Sequence, residues 1–197
     1  MGLPGSLREL KKKLRTEALA RRDALDPQWR IEASLRIVEA GNVLAVEPGE
    51  VVSGFWPIRS EVDVRPLMSA LAERGARLAL PAIVDSGTIV FRELLRGAPL
   101  VAMGFGTAGP GPDAALLEPD LMLVPLAAFD ARGHRIGYGA GYYDRAIARL
   151  RAADRTPRLV GVAFDCQQVE RVPDEPHDVR LSRILTETGL RDLAPGL

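Results

Sequence analysis

The chain of 197 residues has one cysteine, Cys166. A lone thiol excludes an intrachain disulfide framework and a multi-cysteine zinc site, and it fits a reducing compartment. Cys166 follows the apolar run 159–164 and reads as a semi-buried small residue rather than a nucleophile. An excess of one charge is also missing: Lys+Arg and Asp+Glu each number 26. No global positive field therefore exists for nucleic acid, and any anion site must be local. No stretch approaches the roughly 18 consecutive apolar residues of a membrane span, and the amino-terminal segment is charged rather than signal-like. These absences predict one cytoplasmic domain over residues 1–197, monomeric, with no nucleic-acid or membrane partner.

Aromatic residues are scarce too, at 5%, and all three tyrosines fall in one stretch. It reads Gly133-His134-Arg135-Ile136-Gly137-Tyr138-Gly139-Ala140-Gly141-Tyr142-Tyr143-Asp144-Arg145 and follows an apolar run, Leu121 to Leu126, with the pattern of a buried strand. Gly137, Gly139 and Gly141 free the backbone to take positive φ and to turn several N–H groups towards one point, which is how a loop holds phosphate. Arg135 brings a fixed cation with a planar fork of donors, and Asp144 a hard oxygen ligand suited to Mg²⁺. Tyr138, Tyr142 and Tyr143 add flat faces and hydroxyls. The plain alternative is a tight strand-to-helix turn with packed tyrosines and solvated Asp144 and Arg145; the concentration of such residues in one loop favours phosphate.

The rest of the chain reads as scaffold. Ser6-Leu7-Arg8-Glu9 is a capping box that starts a helix, with Leu7, Leu10, Leu14, Ala18 and Leu25 on its apolar face. Asp26-Pro27 opens a second helix, expected to bury Ile31, Leu35 and Val38. A strand at 51–56, a helix with Val64, Leu67, Met68 and Leu71 inward, and a strand at 77–81 form a parallel crossover unit. Trp56, Ser60 and Glu61 then lie beyond the carboxyl end of a strand, where open α/β sheets bind ligands. Further strands are expected at 88–94, 120–125, 158–164 and 182–187, and a helix at 143–152. Residues 97–112 read as a loop. Its formal G-x-G-x-x-G, Gly104 to Gly109, is not a dinucleotide fingerprint, because Pro110-Gly111-Pro112 stand where a helix should open and no acidic residue is suitably placed. The expected fold is a three-layer α/β domain with a mostly parallel sheet and helices on both faces.

The glycine-tyrosine stretch resembles the signature of the 5-formyltetrahydrofolate cyclo-ligase family, typically Gly-Arg-Leu-Gly-Tyr-Gly-Gly-Gly-Tyr-Tyr-Asp-Arg. This chain differs by His134, by Ile136 for Leu and by Ala140 for Gly. Lys11, Leu14 and Arg15 match the family's Lys-x-x-Leu-Arg element, and Gln167-Gln168, Pro173, His177-Asp178 and Thr186-Glu187 resemble its carboxyl-terminal pattern. Where the family usually carries Glu-Pro, this chain has Gly109-Pro110.

The resemblance implies a Rossmann-like topology and an ATP-dependent ring closure of 5-formyltetrahydrofolate, with or without a polyglutamate tail, to 5,10-methenyltetrahydrofolate. In the family mechanism the formyl oxygen takes the γ-phosphoryl group, N10 attacks the resulting iminium phosphate, and phosphate leaves. It further implies ATP contacts from Lys11, Arg15, Arg135, Ile136, Gly137, Tyr138, Gly139, Ala140, Gly141, Tyr142 and Tyr143. Folate contacts are implied for Trp56, Glu61, Tyr138, Gly139, Ala140, Gly141 and Tyr142. Arg135 and Tyr142 are expected at the reaction itself, and Asp144 and Asp178 as Mg²⁺ ligands, with no catalytic role for His177. Without the resemblance, Lys11 to Lys13 is a solvated basic face, Glu61 a helix-start acid and His177-Asp178 a local turn. A phosphate-binding α/β enzyme of another kind and a non-catalytic folate- or nucleotide-binding relative remain the alternatives.

Overall fold

The computed structural model describes residues 6–176 and 178–193, so His177 lies outside the described residues. Helix α1 (Leu7–Asp23) starts at the expected capping box: Ser6 Oγ accepts from the Glu9 N–H at 3.3 Å, and Glu9 accepts from the Ser6 N–H at 2.7 Å. Helix α2 (Pro27–Gly41) is capped by Asp26, which accepts from the Trp29 N–H at 3.0 Å. There follow β1 (Val51–Ser53), α3 (Arg65–Glu73), β2 (Arg77–Ile83), β3 (Ile89–Glu93), β4 (Leu100–Ala102), β5 (Ala108–Pro110) and β6 (Leu116–Leu117). The second half holds β7 (Leu121–Pro125), β8 (Ala128–Phe129), β9 (Arg135–Ile136), α4 (Tyr142–Ala152), β10 (Arg158–Val162), β11 (Arg183–Thr186) and β12 (Gly189–Asp192).

The main sheet runs β12-β11-β10-β7-β1-β2-β3-β6. Strands β11, β10, β7, β1 and β2 are mutually parallel, and the pairs at both edges are antiparallel. Strand β7 alternates its side chains between two cores, as a strand covered on both faces must. Leu121 and Leu123 join Ile37, Leu67 and Leu71 from α2 and α3, whereas Met122 and Val124 join Ala146, Ile147 and Leu150 from α4. This is the expected three-layer arrangement. Strand order reverses between β1 and β7, which opens a crevice at their carboxyl ends.

Three expectations need correction. Helix α2 buries Ala33, Ile37 and Gly41, not Ile31 and Leu35, which are exposed. Small residues at that spacing let it close on α3: a Cβ at Gly41 would stand 2.5 Å from Leu67 Cδ1. Helix α1 leaves Leu7 and Leu10 exposed and packs through Leu14 and Ala18 onto a satellite core of Ala128, Ile136 and Val172. The stretch 97–112 is not featureless: β4 and β5 form a hairpin there, and β8 and β9 form another inside the loop after β7.

The β8–β9 hairpin turns on Gly133, at φ +86°, whose carbonyl accepts from the Leu181 N–H at 2.8 Å. A Cβ there would lie 2.3 Å from the Leu181 carbonyl oxygen, which is backbone and cannot swing aside. We expect Gly133→Ala to cost roughly 2–4 kcal/mol, from left-handed strain plus the clash, seen as a lower urea midpoint at unchanged m-value. A midpoint equal to that of the unaltered chain would remove this turn from the determinants of the fold.

Candidate functional site

The crevice between β1 and β7 opens into a cavity of about 550 Å³, within the range that holds a drug-sized ligand. Segments following three parallel strands line it: Phe55, Trp56, Ile58, Arg59 and Glu61 after β1; Ile83 at the end of β2; and Pro125 with residues 135–144 after β7. Arg15 and Leu19 of α1, and Phe105 and Thr107 between β4 and β5, complete the wall.

The glycine loop forms part of the wall. Among the described residues, no backbone N–H from Gly137 through Gly141 donates a hydrogen bond. Five adjacent free donors beside a cavity are a ready anion cradle. Gly139 (φ +103°) and Gly141 (φ +66°) take the expected left-handed backbone; Gly137 does not, and a Cβ there would meet nothing within 4 Å. Arg15 fixes the loop by donating to the Gly137 carbonyl at 2.8 Å, and its guanidinium lies where a Cβ at Gly139 would meet it at 3.2 Å.

Arg135 enters the cavity from β9. It pairs with Asp144 at 2.8 Å and donates to the Val179 carbonyl, and its side chain is only 5% exposed. The cation is therefore held rigid. Asp144 Oδ1 also accepts from the Val179 N–H at 3.3 Å, while Oδ2 meets no donor among the described residues. Tyr143 turns its hydroxyl into a buried position that meets no hydrogen-bond partner among the described residues, and burial, then the Glu61 charge, pushes its pKa well above that of ordinary tyrosine. Tyr142 is gripped from outside: the Arg145 guanidinium lies 5.4 Å from its ring centroid and Phe105 meets it edge-on at 6.4 Å.

Beside Tyr138 of the loop, the wall carries the carboxylate of Glu61 among the apolar Phe55, Trp56 and Ile58. Glu61 accepts from the Tyr138 hydroxyl through one oxygen and from the Ile58 N–H through the other, the latter at 2.8 Å. Burial raises the Glu61 carboxyl above the usual carboxylate range; Tyr138, the Ile58 N–H, Arg22 and Arg59 pull the other way. Tyr138 is raised in turn by burial and by the Glu61 charge.

Arg15, Trp56, Glu61, Arg135, Gly137, Tyr138, Ala140, Gly141, Tyr142, Tyr143 and Asp144 thus share one cavity. Gly139 stands beside it against Arg15, whereas the Ile136 side chain is buried in the satellite core, leaving only its backbone for contact. Lys11 and Asp178 lie off the cavity wall and pair with each other at 2.6 Å, with Glu175 joining at 3.0 Å. Burial would lower the Lys11 pKa, but the two carboxylates outweigh it and raise the ammonium.

Among the described residues no three His, Cys, Asp or Glu side chains gather into a ligand set for a metal. Asp144, with one oxygen open at the cavity, suits instead an ion that brings phosphate oxygens and water, as Mg²⁺ does. Gly109, where Glu was expected from the resemblance, is buried, and a Cβ there would press on the Pro81 carbonyl at 3.2 Å. Cys166 is half-buried, and burial raises its thiol pKa, which disfavours the thiolate. Sequence reasoning missed Arg22, which lies one turn beyond Ala18 and two beyond Leu14 on the buried face of α1; a charge at an apolar spacing was the available signal.

Comparison with known proteins gives a consistent picture. Residues 8–187 match the model of the 5-formyltetrahydrofolate cyclo-ligase family. The 5-formyltetrahydrofolate cyclo-ligase of Escherichia coli is 31% identical over 175 residues, covering 84% of this chain and 94% of its own. That of Mycolicibacterium smegmatis is 35% identical over 146 residues, covering 70% and 74%. The NMR structure of Aquifex aeolicus 5,10-methenyltetrahydrofolate synthetase superposes with a TM-score of 0.78 at 29% identity, covering 95% of each chain.

Proposed function

The chain belongs to the 5-formyltetrahydrofolate cyclo-ligase family, and on that premise we propose that it converts 5-formyltetrahydrofolate to 5,10-methenyltetrahydrofolate, consuming ATP with Mg²⁺ and releasing ADP and phosphate. The observation that carries this reading is the meeting of two chemistries in one cavity: the free loop amides with Arg15 and Arg135, and the apolar Phe55, Trp56 and Ile58 with the buried carboxylate Glu61. The first suits a triphosphate and the second a flat ring bearing N–H donors.

A formyl group on nitrogen is amide-like, so its oxygen is a poor leaving group until phosphorylated. The formyl oxygen takes the γ-phosphoryl group, breaking the bond to ADP. N10 then attacks the activated carbon, the C–O bond breaks, and phosphate departs with its oxygen while the N10 proton is released to water. Transfer of a phosphoryl group asks mainly for alignment and charge compensation. Amides 137–141 cradle the phosphates, and Arg15 and Arg135 compensate charge. Tyr142, braced by Arg145 and Phe105, stands at the reacting centre. Glu61 and Trp56 seat the pterin. Asp144 would hold Mg²⁺, which supplies further charge compensation; Asp178, paired with Lys11, would join only if that pair opens.

A monomeric state is part of the proposal. No helix among the described residues is long and apolar enough to cross a membrane, and a cytoplasmic location remains part of the proposal.

Mixing the protein with MgATP and 5-formyltetrahydrofolate should generate methenyl absorbance and phosphate in equal amounts. Phosphate release without formyl-folate would favour a different phosphate-handling enzyme, and tight folate binding without methenyl formation a non-catalytic relative. The metal assignment makes its own prediction. Asp144→Asn should move the Mg²⁺ dependence of turnover to about tenfold or more higher concentration, and an unchanged titration would take Asp144 out of the metal site.

A further inference from the structure

Arg22 is the bulkiest of the side chains buried to under 2% exposure, at 1%. A guanidinium withdrawn from water costs several kcal/mol unless its charge and donors are met, yet no carboxylate among the described residues forms a direct salt bridge with it. Its partners are hydroxyls. Nε donates to Ser60 Oγ at 2.9 Å and Nη1 to Tyr138 Oη at 2.7 Å, with the guanidinium carbon 5.9 Å from the Tyr138 ring centroid.

Proton count then fixes the direction of both relays. Arginine can only donate and does not deprotonate. Each hydroxyl therefore accepts from Arg22 and must pass its one proton onward. Ser60 gives it to Asp23, and Tyr138 gives it to Glu61. With the Ile58 N–H on its other oxygen, Glu61 receives a donor at each oxygen and is left as an acceptor towards the cavity. Through the same contacts Arg22 joins three segments that chain order keeps apart: α1, the turn after β1 and the glycine loop.

We propose that Arg22 is a positioning residue that, acting through Tyr138, holds Glu61 as a pure acceptor for the N–H donors of the substrate ring and locks the glycine loop to the turn carrying Glu61. This rests on the folate reading of the cavity and extends it to a residue that touches no ligand. Four groups face Glu61: Arg22 from α1, Arg59 from its own turn, Tyr138 from the glycine loop and Tyr143 from α4. Burial raises the Glu61 carboxyl, and the two arginines oppose that rise. Without Arg22 the carboxylate protonates more readily, so activity that needs the ionised form is lost at a higher pH.

The test compares Arg22→Met, which keeps length and loses charge, Arg22→Lys, which keeps charge and loses the fork, and Tyr138→Phe, which cuts the relay and keeps the Arg22 charge while removing one of its acceptors. Thermal melts first establish which variants are folded. Arg22→Met should raise KM for 5-formyltetrahydrofolate by about tenfold or more with a smaller fall in kcat, and move the acid limb of kcat/KM to higher pH. Tyr138→Phe should move that limb in the same direction, and Arg22→Lys should restore it towards that of the unaltered enzyme. The carboxyl ¹³C signal of Glu61, titrated in the unliganded protein, should show the same displacement in Arg22→Met. That readout separates the proposal from the folate reading: absent turnover in the unaltered protein would sink the reading alone. An unmoved Glu61 titration in both Arg22→Met and Tyr138→Phe would overturn the positioning role, as would equal losses in all kinetic constants with a fixed acid limb.

Discussion

Arg135→Ala lowers kcat/KM by about 100- to 1,000-fold, the scale on which one preorganised donor to a developing oxyanion acts. The side chain is 5% exposed, clamped by Asp144 and the Val179 carbonyl, and open to the cavity beside the free amides. A cation fixed before the reaction spends nothing on reorganisation when charge shifts between phosphate oxygens. Lysine should rescue little, since one ammonium cannot reach Asp144, Val179 and a phosphate oxygen with the geometry of a planar fork. The fall should lie mainly in kcat if Arg135 acts on the transferring group, and mainly in KM for ATP if it only binds the nucleotide. Because removing Arg135 also strips Asp144 of its counter-ion, the thermal midpoint must be measured alongside. Near-normal kcat/KM in a folded variant would exclude any role in the transfer.

The second large effect falls on Glu61. Glu61→Gln should raise KM for 5-formyltetrahydrofolate by roughly 10- to 100-fold, as expected when a charged acceptor becomes neutral at a buried contact worth ~1.5–3 kcal/mol. An amide also confronts the donors already present: its NH₂ would face either the Tyr138 hydroxyl or the Ile58 N–H, both of which now donate. KM for ATP should change less, because Glu61 bonds the Tyr138 hydroxyl and the Ile58 N–H and none of the loop amides. The native residue makes a linked prediction about pH. Burial places the Glu61 pKa above the ordinary carboxylate value, so the protonated form accumulates, and folate affinity falls, as pH drops through that raised value rather than nearer the ~4 of a solvated carboxylate. The Glu61→Gln variant should lack this acid limb. A folate KM that stays put in Glu61→Gln, with the limb intact, would place substrate recognition elsewhere.

What could be read from the chain was whatever local chemistry determines. The Ser6–Glu9 box, the Asp26-Pro27 cap and the crossover from β1 to β2 follow from side chains a few residues apart, and each stands where expected. The unbroken apolar run of β7 announced a strand covered on both faces, and the glycine-tyrosine stretch behind it announced a loop with open amides on the cavity wall.

Features set by packing between distant segments were not legible. Ile31 and Leu35 have the larger hydrophobic surfaces, but the seam of Ala33, Ile37 and Gly41 won because it admits Leu67 of α3. The two-residue strands β8 and β9 are too short to show a period, yet they carry Arg135 to the cavity. Arg22 bore only the signal of a charge at an apolar spacing, and its burial depends on α1 packing against the β8–β9 hairpin. The Lys11–Asp178 pair joins residues far apart in the chain and so leaves no mark at either position.

The central claim is that the loop amides from Gly137 to Gly141 receive the phosphates. The most direct measurement is an amide ¹H–¹⁵N titration of the labelled protein with MgADP and then MgATP. The N–H signals of Gly137, Tyr138, Gly139, Ala140 and Gly141 should move first and furthest, with saturable shifts that require the nucleotide phosphates and are not reproduced by adenosine. Unmoved loop amides alongside nucleotide-dependent shifts elsewhere would contradict it.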